Sequence, residues 1–101
     1  MDKGQMTAAV KAVSSYVEKE FAGSSIMDGR DHERSAHTWS VKPVGSEALM
    51  LLTVSFEFLS DTPALRIQET LEQWNVADMM RGAEAKYRIL VTRGGVTTIP
   101  Q

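Results

Sequence analysis

Acidic and imidazole side chains are concentrated between residues 28 and 37, and they are the side chains best suited to chemistry. The group comprises Asp28, Asp31, His32, Glu33 and His37. The run His32-Glu33, followed by His37, approaches the helical zinc motif H-E-x-x-H, but its histidines stand five positions apart where one helical face requires four. A folded loop can still bring Asp31, His32 and His37 together as a metal site. We favour the alternative of a solvated charged loop, because such loops are common on protein surfaces.

Acid–base catalysis by these histidines is a second hypothesis. An unperturbed imidazole titrates near neutral pH, so either His32 or His37 could serve a small enzyme. A general base also needs an orienting partner and a pocket, and the sequence indicates neither. Cysteine is absent, no serine lies in a G-x-S-x-G turn, and Gly94-Gly95 lacks the spacing of a phosphate-binding loop. We therefore favour a non-enzymatic protein with no cofactor.

Basic residues are in excess near the C-terminus and raise the hypothesis of a small nucleic-acid-binding protein. Lys86, Arg88 and Arg93 are placed to contact phosphates. Proteins that bind single strands on a sheet also need exposed aromatic residues for stacking, whereas Tyr87 has the parity of the core-facing side of its strand. The net charge of −2 gives the chain no general affinity for nucleic acid. We favour instead the pairing of Lys86 and Arg88 with Glu57 across the sheet.

Composition narrows the class and the compartment of the protein. The absence of cysteine excludes a disulfide framework and a thiolate zinc site. The N-terminal segment lacks the apolar stretch of a secretory signal. No apolar run approaches the roughly 20 residues of a membrane helix. We therefore expect a soluble, cytoplasmic protein without membrane association.

Hydrophobic periodicity divides the chain into two amphipathic helices and four strands. Apolar residues recur every three or four positions in the helices, and they alternate with polar residues in the strands. The polar stretch 23–35 follows neither pattern, and we predict a flexible loop there. The predicted elements are a helix from Gln5 to Phe21, strands His37–Val44 and Ala48–Leu59, a helix from Thr62 that Asn75 interrupts before a last turn ending at Gly82, and strands Glu84–Arg93 and Val96–Ile99.

The order α-β-β-α-β-β predicts a two-layer α+β sandwich. Both helices have a single apolar stripe, and most strands have a single apolar face. The economical arrangement therefore places two helices on one face of a mostly antiparallel four-stranded sheet. A length of 101 residues fits one domain over residues 1–101.

Three leucines provide the strongest indication of function. Leu49 and Leu51 share parity with the polar residues of their strand, and Leu90 lies on the corresponding face of the next strand. If helices cover only the other face, these leucines form an exposed apolar patch of the kind that marks an interaction site. Its polar rim would be Glu57, Lys86 and Arg88. We therefore predict a protein-interaction domain that forms a homodimer through this face, with cover by the chain's own loop or tail as the alternative.

Overall fold

The computed structural model describes residues 3–83 and 86–101, which form four helices and one five-stranded sheet. The α+β class and the mostly antiparallel sheet are confirmed. The helices are α1 (Lys3–Glu20), α2 (Phe56–Asp61), α3 (Ala64–Gln73) and α4 (Val76–Gly82). The strands are β1 (Ser25–Asp31), β2 (Ala36–Lys42), β3 (Met50–Ser55), β4 (Tyr87–Thr92) and β5 (Gly95–Pro100). Residues 84 and 85, the start of the predicted strand Glu84–Arg93, lie outside the described residues.

Helix α1 follows the apolar stripe read from the sequence. Its stripe buries Ala9, Val13, Tyr16 and Val17 against the rest of the protein. After the helix the chain turns at Gly23, where a φ of 86° is unfavourable for residues with a Cβ atom. None of the helices in the described part of the chain has the length and apolarity of a membrane span.

The prediction of a flexible loop over residues 23–35 is wrong, because most of this stretch forms β1 at the edge of the sheet. Every residue of β1 pairs with β2 in antiparallel register. Among the β1 residues, Ile26 alone packs against the core, so the strand shows no alternation of apolar and polar side chains. Charged residues on an edge strand also oppose pairing with the strands of other molecules. The amino-acid composition of β1 therefore resembles that of a surface loop.

The strand predicted over Ala48–Leu59 is too long, because the chain leaves the sheet at Ser55. The Ser55 Oγ accepts a hydrogen bond from the Phe58 amide at 3.1 Å and caps the first turn of α2. Phe58 and Leu59 are buried on this short helix. The period of two that continues through Phe56 and Phe58 therefore belongs to a helix, and local capping decides its conformation.

The helix predicted after Thr62 is present as two consecutive helices. Ile67 and Leu71 of α3 are buried, as their spacing predicts. The break falls at Asn75, which has a φ of 53°, a left-handed conformation that asparagine adopts more readily than most residues. Helix α4 then buries Val76, Ala77 and Met80. With α2, this division gives four helices in the described chain where two were predicted.

The sheet has the strand order β1-β2-β3-β4-β5, one strand more than predicted. Neighbouring strands are antiparallel except β3 and β4, which are parallel with Leu52 opposite Ile89. Parallel neighbours need a crossover connection, and the segment containing α2, α3 and α4 provides it. The predicted turn at Gly94-Gly95 joins β4 to β5, with a φ of 132° at Gly95.

Buried residues of all four helices and of one sheet face form a single hydrophobic core. Trp39 of β2 is fully buried in it, and its Nε1 donates a hydrogen bond to Ser14 Oγ of α1 at 2.9 Å. The helices therefore form one layer, as predicted, and the opposite side of the sheet, its outer face, is not part of this core.

Tyr16 ties α1 to the break between α3 and α4. Its hydroxyl accepts a hydrogen bond from the Ala77 amide at 3.0 Å, and it lies 3.4 Å from the Leu71 carbonyl, to which it donates. Burial raises the pKa of the Tyr16 phenol, because the charged phenolate is poorly solvated there. This one hydroxyl thus satisfies backbone groups that the change of helix direction leaves without helical partners.

Candidate functional site

The outer face carries side chains from all five strands. Paired residues of neighbouring strands share a face, so the register places Met27 of β1, Ser40 of β2 and Leu51 of β3 in one row. Arg88 of β4 and Ile99 of β5 continue this row. The next row contains Gly29, Thr38, Thr53, Leu90 and Thr97.

The apolar residues of the outer face are partly open to solvent. Met27 is 75% exposed, and Leu51, Leu90 and Ile99 are half-buried. Within residues 3–83 and 86–101, none of these four packs against the hydrophobic core. The geometry on which the sequence-based prediction of an apolar patch depended, helices on one side of the sheet alone, is therefore present.

Arg88 lies at the centre of the outer face and makes few polar contacts. Its Nη1 donates a hydrogen bond to Thr53 Oγ1 at 3.0 Å, and that oxygen also lies 3.0 Å from Thr38 Oγ1. The Nε of Arg88 is buried and has no hydrogen-bond partner in the described chain. Burial lowers the pKa of the Arg88 guanidinium, the nearby Arg34 lowers it further, and Asp31 opposes this change. An arginine nevertheless stays protonated in proteins, so the face presents a cation with an unmet donor.

A groove of about 560 Å³ runs along the outer face between Arg88 and the β1–β2 hairpin. Its lining includes Thr38, Ser40 and Leu51 and the stretch 27–33 of the hairpin. That stretch carries the acids Asp31 and Glu33 and the basic residues Arg30 and His32, whereas the Asp28 carboxylate contacts His37 on the helix-covered side. The groove therefore has Arg88 on one side, a hairpin with charges of both signs on the other, and an apolar and hydroxyl-bearing surface between them.

The residues predicted for the interface are only partly brought together. Leu51, Leu90 and Arg88 are neighbours on the outer face. Leu49 precedes β3 in an irregular segment and is 46% exposed. Lys86 precedes β4, and its Nζ lies 5.7 Å from the centre of the Tyr87 ring.

Glu57 is not on the rim of the outer face, which corrects the prediction. It lies on α2, because the chain has already left the sheet at Ser55, and its Oε2 is 3.1 Å from Arg93 Nη2. The cross-sheet pairing of Glu57 with Lys86 and Arg88 does not appear among the described ion pairs.

The three bases of the nucleic-acid hypothesis are spread along β4 and beyond its ends. Arg93 forms ion pairs with Glu57 and with Asp61, whose Oδ2 is 2.8 Å from Arg93 Nη1. Arg88 is largely covered on the outer face, and Lys86 lies at the opposite end of the strand from Arg93. These positions give no continuous basic track for a phosphate backbone.

Two residues of the metal hypothesis, His32 and His37, line one pocket beside the β1–β2 hairpin, whereas Asp31 does not line it. Asp31 pairs with Arg34 at 3.3 Å, and His32 is exposed in the turn of the β1–β2 hairpin. His37 is buried on the helix-covered side of β2. Among the described residues no group of three potential metal ligands occurs. The geometry therefore lends the metal hypothesis no support.

The structure reveals a contact that the sequence did not indicate, between Asp28 and His37. Asp28 Oδ2 lies 2.6 Å from His37 Nε2, and the His37 ring centre is 4.6 Å from that of Trp39. The register sets Asp28 opposite Trp39 and Arg30 opposite His37, so Asp28 and His37 are diagonal neighbours on one face. The pair can be predicted only if β1 is recognised as a strand, because the pairing of β1 with β2 is what brings Asp28 close to His37.

Comparison with models of known protein families finds none that matches this chain. A search of the curated proteins also gives no match.

Proposed function

We propose that this protein is a non-enzymatic interaction domain that forms a homodimer through the outer face of its sheet. The observation that carries the proposal is a set of partly exposed apolar side chains, Met27, Leu51, Leu90 and Ile99, on a face that the core does not include. Removal of apolar surface from water favours association, and the ordering of the two partners offsets part of this gain. Contact with a second copy removes this surface from water.

The distribution of charge on the outer face favours a second copy as the partner. Arg88 lies on β4, and Glu33 lies in the turn after β1 on the other side of the groove. A two-fold axis in the plane of the interface, passing near Thr38 and Thr53, brings Arg88 of each copy against Glu33 of the other. Neither Glu33 nor Arg88 forms an ion pair within the described residues. The proposed contacts would make the interface self-complementary, as a two-fold interface requires.

The dimensions of the face set the strength of the dimer. Five strands at about 4.8 Å spacing are roughly 24 Å wide, and six residues at about 3.3 Å each are roughly 20 Å long. Two such faces in contact bury roughly 1,000 Å², which is near the lower limit for a specific interface. We therefore expect a dimer that dissociates on dilution.

A pair of matched leucine substitutions tests the proposal by light scattering. Leu51→Lys places a charge in the middle of the outer face, and we expect it to abolish the dimer. Leu65→Lys places the same charge on a leucine of α3 that is 98% exposed, and we expect the dimer to persist. Circular dichroism of both variants checks that the fold is retained. A folded Leu51→Lys variant that keeps the dimeric mass of the unmodified chain overturns the proposal.

A further inference from the structure

A second concave site lies on the other side of the sheet, where the first half of α1 passes the β1–β2 hairpin. Its volume is about 300 Å³, at the small end of the range for pockets that bind organic molecules. Residues from α1, β1, β2, the hairpin turn and α2 line it. The pocket shares Arg30 and His32 with the lining of the outer-face groove, but its other lining residues lie on the helix-covered side of the sheet.

One wall of this pocket is apolar. Met6 and Val10 of α1 and Phe56 of α2 line it, and all three are half-buried and pack against the hydrophobic core. The side chains of this wall offer water few hydrogen-bonding groups. The wall therefore favours an apolar body over water.

The other wall carries nitrogen-bearing polar side chains. His37 is only 8% exposed, and Asp28 holds its Nε2, so the ring has a fixed orientation. No second hydrogen bond is made by the ring to other described residues. Arg30 and His32 also line the pocket and are exposed at its mouth, and Arg30 makes no ion pair within the described residues. A guanidinium that has no carboxylate partner can form charge-assisted hydrogen bonds with an incoming anion.

We propose that this pocket binds a small organic carboxylate with an apolar body. The carboxylate lies at the mouth against Arg30, and the body lies on Met6, Val10 and Phe56. His37, held by Asp28, supplies a fixed polar group beside the ligand. Both halves of the ligand are needed, because the cation selects the charge and the apolar wall supplies the burial.

The test uses hexanoate and its neutral analogue hexanamide as probes, followed by amide chemical shifts and titration calorimetry. We expect hexanoate to bind with a Kd of about 1 mM or tighter and to shift the amides of Val10 and His37. Hexanamide, which lacks the charge, should bind about tenfold more weakly. Equal affinities for the two probes, or no shift with hexanoate at concentrations of about 10 mM, overturn the proposal.

Matched variants locate the site. Arg30→Gln should weaken the binding of hexanoate about tenfold and leave the binding of hexanamide unchanged. Its control, Arg66→Gln, removes an exposed arginine of α3 and should change the affinity of neither probe. Val10→Trp fills the pocket and should abolish binding of both probes, whereas Ala8→Trp, on an exposed position of α1, should not. Hexanoate binding that survives both Arg30→Gln and Val10→Trp contradicts the assignment. A folded Leu51→Lys variant should still bind hexanoate, because Leu51 does not line the pocket.

Discussion

Arg88 donates from Nη1 to Thr53 Oγ1 at 3.0 Å, so that a cation lies against the centre of the outer face instead of extending into solvent. Thr53 is fully buried beneath it, although no helix covers this side of the sheet. The guanidinium is left with a buried Nε that nothing in the described chain satisfies. A buried donor without an acceptor destabilises the folded protein. The guanidinium also forms no ion pair within the described residues, and the proposed dimer would pair it with a carboxylate of a second copy.

Exchanging charges tests whether that carboxylate is Glu33 of a second copy. We expect Arg88→Glu and Glu33→Arg each to prevent the dimer, because each variant places like charges opposite one another. An equimolar mixture of the two variants should recover a dimer, since both contacts then join opposite charges. Sedimentation velocity of the separate and mixed samples measures this. A mixture that stays monomeric rules out the Arg88–Glu33 contact while leaving the apolar face to be tested through Leu51.

Removing the Tyr16 hydroxyl should destabilise the monomer. Tyr16→Phe leaves the buried Ala77 amide without an acceptor, and we expect a loss of about 1–3 kcal/mol in the free energy of unfolding. Urea denaturation measures the loss, with Tyr87→Phe, on a half-buried tyrosine of β4, as the control. Equal stabilities for Tyr16→Phe and the unmodified protein would show that the hydroxyl contributes nothing.

The raised pKa of Tyr16 also predicts a loss of stability at alkaline pH. The folded protein holds the phenol proton more tightly than the unfolded chain, in which the pKa is near its ordinary value of 10.0. The stabilisation is therefore complete below that pH and is lost as the pH rises from there through the raised pKa of the folded state. Tyr16→Phe should show a smaller decline over the same pH range in urea titrations. Parallel declines for the two proteins would contradict this account.

Ser55 should contribute to the stability of the fold, because it ends β3 and caps α2. Ser55→Ala removes the hydrogen bond to the Phe58 amide, and we expect a loss of about 1 kcal/mol. Ser60→Ala, within the same helix, is the control. Thermal denaturation of both variants measures the difference in stability. A larger loss for Ser60→Ala than for Ser55→Ala would contradict the assignment of Ser55 as the residue that caps α2.

The contact between Asp28 and His37 should stabilise the β1–β2 hairpin. Asp28→Ala leaves the buried His37 Nε2 without a partner, and we expect a loss of about 1–3 kcal/mol. Asp61→Ala removes a carboxylate whose pairing with Arg93 is exposed, so it should cost no more than about 1 kcal/mol. Urea denaturation compares them. The interpretation is refuted by a loss for Asp61→Ala that equals or exceeds the loss for Asp28→Ala.

The elements with a buried face were predictable from the sequence. The α1 stripe and the alternation in β2 and β4 are imposed by burial of one side, so Trp39 and Ile89 were placed correctly on the core face. The shared face of Leu51 and Leu90 followed from the same parity. A regular hydrophobic period is visible in the sequence wherever one side of a helix or strand is buried and the other is exposed to solvent.

The elements without such a face were not predictable in the same way. Strand β1 is at the edge and has Ile26 as its single core contact, so pairing with β2 determines its conformation and its own composition does not. The end of β3 depends on a cap at Ser55 that the alternation of Phe56 and Phe58 obscured. Because the composition of β1 does not distinguish it from a loop, the sequence does not indicate the Asp28–His37 contact or the two pockets beside the hairpin.

The mass of the unmodified protein over a dilution series tests the central claim most directly. Sedimentation velocity should give twice the 11.2 kDa mass of one chain at high concentration. The mass should fall toward that of one chain as the sample is diluted through about the micromolar range, since the interface is small. The mass of a single chain at every concentration would contradict the account.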